Sequence, residues 1–120
     1  MAVSGIKVWS LCEHHLLPFS AIVNIAYIPQ DTVLGLSKFA RIANKVSHKP
    51  QVQEQLSQEI ADAITKATKS QDVAVLVDGE HLCMSMRGIK TPAVMTTSVM
   101  RGVFRKESET RAEVLRLWKR

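Results

Sequence analysis

The stretch Phe19-Ser20-Ala21-Ile22-Val23-Asn24-Ile25-Ala26-Tyr27-Ile28, stopped by Pro29, anchors the fold reading. Ala21, Val23, Ile25 and Tyr27 alternate with Ile22, Asn24, Ala26 and Ile28, so it reads as a strand with two largely apolar faces. Upstream, residues 6–11 read as a first strand. Downstream, Gly35 sits in a turn and Ser37 is the expected N-cap of a helix with Phe39, Ile42, Ala43 and Val46 at helical spacing, ending before Pro50. A second helix opens at Pro50 or Gln51, with Val52, Leu56, Ile60, Ile64 and Ala67 on one stripe.

Residues 72–87 read as a long strand whose Asp78-Gly79 pair signals either a hairpin turn or a bulge. Residues 93–104 form another Thr/Val-rich strand, and 107–118 a final helix, amphipathic through Ala112, Leu115 and Trp118. Strand, strand, helix, helix, strand, strand, helix predicts an α+β domain: an antiparallel sheet with two helices packed on one face plus a C-terminal helix.

A chain of 120 residues has room for one domain, residues 1–120, and can bury a core without a disulfide or metal staple. With 46% apolar and 22% charged residues, composition excludes a disordered chain. No apolar run is long enough to span a membrane, and the first residues lack a signal-peptide layout, so a cytoplasmic location is expected. Cys12 and Cys83 are then expected to be reduced. The net charge of +5 suits an anionic partner, whether nucleotide phosphate, nucleic acid or acidic protein. Aromatics at 5% supply a base-stacking platform poorly, and neither nucleic acid nor membrane is an expected partner.

Two clusters carry the chemistry. Cys12-Glu13-His14-His15 follows a strand, and the two-residue gap between Cys12 and His15 lets a turn bring thiolate and imidazole to one metal ion. In His81-Leu82-Cys83, residues two apart on a strand share a face, which Ser85 and Arg87 continue. Any one of these residues alone reads as core packing. Both cysteines and three of the four histidines in two tight clusters point instead to a metal. Cys12, His15 and Cys83 suit zinc, and three protein ligands leave a fourth tetrahedral position open, as catalytic sites do. His14 and His81 remain as acid–base groups; His48, at a helix end, is structural.

Lys38 and Arg41 lie one turn apart at a helix start, where backbone N–H groups favour anions, and Arg87 is a third candidate for the same pocket. The competing reading is a solvated helix face. Gln53 and Glu54 open the second helix; Glu54 either complements the helix dipole or accepts the paired N–H donors of a guanine edge. The basic segment 105–120 reads as a packed helix with a solvated face.

Taken together, Cys12-Glu13-His14-His15, Gly35-Leu36-Ser37-Lys38 with Arg41, Gln51-Val52-Gln53-Glu54, His81-Leu82-Cys83-Met84 and Met86-Arg87-Gly88 resemble the GTP cyclohydrolase I family, in family order and spacing. The resemblance implies the tunnelling or T-fold, a homo-oligomer with active sites at subunit interfaces, and conversion of GTP to formate and 7,8-dihydroneopterin triphosphate, the opening step of pteridine synthesis. It implies zinc on Cys12, His15 and Cys83, which would lower the pKa of a water directed at C8 of guanine. His81 would protonate the ring nitrogen, with His14 as second proton-transfer group and Ser37 contacting the ribose. Glu54, with Gln53 beside it, would hold the guanine edge, and Lys38, Arg41 and Arg87 the triphosphate. Most family members carry a helical region before the zinc motif, whereas eleven residues precede Cys12 here. The alternative expectation is a zinc-containing purine-nucleotide binder of the same fold with reduced turnover.

Overall fold

A computed structural model of the chain describes residues 1–13, 16–30, 33–81 and 94–119. Among them, five strands form one sheet: β1 (Ala2–Cys12), β2 (Pro18–Tyr27), β3 (Pro50–Gln51), β4 (Val73–His81) and β5 (Val94–Met100), in the order β3-β1-β2-β4-β5. Pairing is antiparallel throughout except at β3, which lies parallel to β1 with Leu11 beside Pro50 and Cys12 beside Gln51. The expected antiparallel sheet is therefore mixed at one edge. Periodicity cannot reveal a strand this short, which is held by the buried Gln51 amide donating to Ser10 Oγ at 3.1 Å and Val46 O at 3.0 Å.

Strand β1 starts at Ala2, earlier than expected. A register shift between Val3 and Ile6 is absorbed by Gly5, whose φ of 80° belongs to the region open to glycine. Its N–H donates to Asn24 Oδ1 at 2.9 Å, which uses a polar side chain on β2. The Asp78-Gly79 pair is neither turn nor bulge: Asp78, Gly79 and Glu80 pair in continuous register with Ile22, Ala21 and Ser20 on one side and Thr96, Met95 and Val94 on the other. Glycine is needed there because a Cβ would collide with the Gln53 amide.

Helices α1 (Leu36–Ser47) and α2 (Gln53–Thr68) cover one face of the sheet. The N-cap of α1 is Gly35 rather than Ser37: Gly35 is extended and its carbonyl accepts Lys38 N–H at 3.0 Å, leaving Ser37 exposed inside the first turn. Val8, the odd-numbered positions of β2 from Phe19 to Tyr27, and Val73, Val75 and Val77 of β4 pack against Phe39, Ala43, Leu56, Ile60, Ala61 and Ile64 to make the main core. Even-numbered Ala26 and Ala74 point the other way and meet Phe104, Val114 and Trp118. Those belong to α3 (Val103–Lys106) and α4 (Ser108–Trp118), so the C-terminal helices cover the opposite face. The break at Glu107 shifts the buried stripe of the last helix to Val114 and Trp118, with Leu115 partly buried and Ala112 exposed. No helix among the described residues is long and apolar enough to cross a membrane.

Candidate active site

The site is built where β1 and β4 end. Cys12 is the last residue of β1 and packs, partly buried, against the main core. Just beyond it the chain closes on itself: Leu16 N–H donates to Cys12 O at 2.7 Å, and Cys12 N–H to Leu17 O at 2.8 Å. Leu16 takes a φ of 54° to do so. His14 and His15, between these contacts in sequence, lie outside the described residues, as do Cys83 and Arg87 beyond the end of β4.

His81 ends β4 opposite Phe19, which stacks on its ring with centroids 4.3 Å apart and planes 8° from parallel. The ring is 8% exposed, and its Nε2 lies 2.8 Å from Gln53 Oε1. Burial pushes the His81 pKa below the ordinary histidine value, and the Glu54 carboxylate acts against that shift. Gln53, in the first turn of α2, is 1% exposed. Its Nε2 donates to Val77 O at 3.1 Å and Met95 O at 2.8 Å, with Thr97 Oγ1 at 3.3 Å. The Gln53 amide is thus hydrogen-bonded in the interior, beneath His81. Glu54, one residue on, faces solvent at the same end of the sheet.

Ser37, Lys38 and Arg41 are exposed along the start of α1. That end of the helix is tied to Tyr27, whose hydroxyl accepts Leu34 N–H at 3.0 Å and whose ring lies 5.5 Å from that of Phe39. Tyr27 pairs with Val73 and Phe19 with His81, at opposite ends of β2 and β4. Those ends are about 26 Å apart at 3.3 Å per residue. The chain thus gathers Cys12, Glu54 and His81 at one end and leaves Ser37, Lys38 and Arg41 toward the other. Lys38 and Arg41 line, with Lys45 and Lys66, a groove of about 710 Å³ between the two helices.

Of the three expected metal ligands only Cys12 is among the described residues, and no group of three metal-binding side chains occurs among them. The donor set of two thiolates and one imidazole suits zinc, and Cys12 ends β1 at the same end of the sheet at which His81 ends β4. Sequence reasoning missed Phe19, Gly79 and Thr97 as supports of His81. A glycine inside a strand was the one available signal, since it marks close approach by another group.

The family model for GTP cyclohydrolase I matches residues 1–119. Among curated proteins, the chain is 53% identical over 116 residues to GTP cyclohydrolase 1 of Methylococcus capsulatus, covering 96% of this chain and 63% of that one. Against GTP cyclohydrolase 1 of Aquifex aeolicus it is 52% identical over 118 residues, covering 98% and 64%. Against that of Hyperthermus butylicus it is 47% identical over 117 residues, covering 98% and 61%. The chain thus spans somewhat less than two thirds of the length of these relatives. Among solved structures, an archaeosine synthase QueF-Like protein in the apo form superposes with a TM-score of 0.65 at 17% identity, covering 82% of this chain and 90% of that one. The E. coli dihydroneopterin aldolase in complex with neopterin gives 0.55 at 9%, covering 81% and 96%. These likenesses show the expected T-fold, and by the family match the chain belongs to the GTP cyclohydrolase I family.

Proposed function

We propose that this chain carries the catalytic core of a GTP cyclohydrolase I, converting GTP to 7,8-dihydroneopterin triphosphate and formate in the cytoplasm, with zinc as cofactor. The observation that carries the reading is the pairing of a buried, clamped imidazole, His81, with an exposed carboxylate, Glu54, at the end of the sheet where Cys12 stands. In this reading Glu54 accepts the N1–H and 2-amino donors of guanine, orienting the imidazole ring of the base toward His81. His81, whose pKa is lowered by its burial, protonates the base nitrogen, with His14 as the second proton-transfer group. Cys12, His15 and Cys83 would hold zinc, which when bound supplies Lewis acidity and an acidified water.

Ser37, Lys38, Arg41 and Arg87 would hold the ribose and triphosphate. The distance between the two ends of the sheet supports a site completed by a second copy: the start of α1 from one subunit meets the Cys12/His81 end of another, in a homo-oligomer. The test is incubation of the zinc-loaded protein with GTP, following formate and the pterin chromophore. Both appear if the reading is right. Binding of zinc and GTP without formate would favour the alternative, a purine-nucleotide binder, and failure to bind zinc would remove the reading.

A further inference from the structure

We infer that Gln53 is a positioning residue that fixes which nitrogen of His81 carries its proton, an assignment that deepens the proposed role of His81 and rests on that reading for its catalytic meaning. One terminal atom of the Gln53 side chain lies between two backbone carbonyls, Val77 O at 3.1 Å and Met95 O at 2.8 Å. Carbonyls only accept, so that atom is the amide nitrogen and both its hydrogens are committed. The other terminal atom is therefore the carbonyl oxygen, an acceptor, and it faces His81 Nε2 at 2.8 Å. An acceptor at that distance requires a proton on Nε2; a bare Nε2 would set two lone pairs against each other in a buried site.

The neutral ring is then the Nε2–H form, with Nδ1 unprotonated. Three further features hold the arrangement. Phe19 stacks flat on the ring and fixes its plane. Thr97 Oγ1, beside the Gln53 nitrogen, is itself 2.6 Å from Ser57 Oγ. Gly79 leaves the space that the Gln53 amide fills, so the amide cannot be replaced by a side chain from β4. The anchor reaches His81 from two strands and one helix, so the ring orientation is set by the fold before any ligand arrives.

Nitrogen-15 spectra of histidine-labelled protein, before and after zinc loading, test this directly. The His81 signals are identified by their loss in His81→Ala. The expected pattern is a protonated, pyrrole-type Nε2 and an unprotonated, pyridine-type Nδ1. The reverse pattern overturns the assignment. In Gln53→Met the preference should disappear, and kcat for formate release should fall about 10- to 100-fold with KM for GTP nearly unchanged. Retention of both the Nε2–H form and full kcat in that variant would overturn the proposal. Should Gln53→Met not fold, the spectrum of the unaltered protein decides alone. A protein with the Nε2–H pattern that releases no formate would refute the cyclohydrolase reading and leave the tautomer assignment standing.

Discussion

Gly79 stands where no side chain fits, because the amide of Gln53 occupies the place its Cβ would take. The glycine is a strand residue paired on both sides, with no unusual backbone to serve. Its absent side chain is what brings the α2 amide into the sheet and under His81. Gly79→Ala is expected to lose about 1–3 kcal/mol of stability through overpacking. The loss would be read as a lower urea midpoint, accompanied by a weakened preference for Nε2–H at His81. A variant with unchanged midpoint and an unchanged His81 signal would contradict this account of the glycine.

Tyr27 holds the start of α1 through the bond from Leu34 N–H to its hydroxyl. Tyr27→Phe keeps the ring in the core and leaves a buried N–H without its partner, costing about 1–3 kcal/mol. Ser37, Lys38 and Arg41 follow directly, so KM for GTP is expected to rise while zinc content stays constant. Steady-state kinetics with metal analysis checks both, and an unchanged KM would separate the Tyr27 tie from substrate binding.

Trp118 closes the opposite face of the sheet, 7% exposed, with its indole N–H directed at Ile25 O at 3.4 Å. Trp118→Ala should cost about 3–5 kcal/mol, since a large buried aromatic is lost with partial collapse at best. Thermal unfolding measures it. A change within 0.5 kcal/mol, about what an exposed position shows, would mean that α4 does not dock on the sheet as described.

Metal dependence is expected to separate the roles of two residues in one cluster, His81 and Cys83. Cys83→Ala is expected to lose both zinc and formate release, whereas His81→Ala should keep zinc and lose formate release alone. Metal analysis alongside the activity assay distinguishes them. Full activity in His81→Ala would remove that residue from the mechanism.

The alternation around Val23 and Ile25 and the helical stripe through Leu56, Ile60 and Ile64 are strong because each repeats over several turns or pleats, and the fold class followed from them. Two-residue β3 has no period to read, and the Gly5 bulge depends on a distant partner, Asn24. Ser37 looked like a cap by residue type, but the helix starts where the extended Gly35 carbonyl meets Lys38 N–H. Sequence places Gln53 at a helix start and no further, because only the folded sheet shows the two carbonyls its amide satisfies. The motifs named the candidate site residues, yet linear order could not say at which end of the sheet each would fall. The wide separation of Lys38 and His81 emerges only from strand pairing and helix direction.

That separation makes subunit complementation the most direct measurement. One variant would carry Lys38→Ala and Arg41→Ala, the other His81→Ala. Each, zinc-loaded and alone, should release little formate from GTP. Unfolded together and refolded as mixed oligomers, they should regain part of the activity, because some interfaces then combine an intact α1 start with an intact His81. No recovery in the mixture, while the unaltered protein taken through the same treatment releases formate, would contradict a catalytic centre built from two copies of this chain.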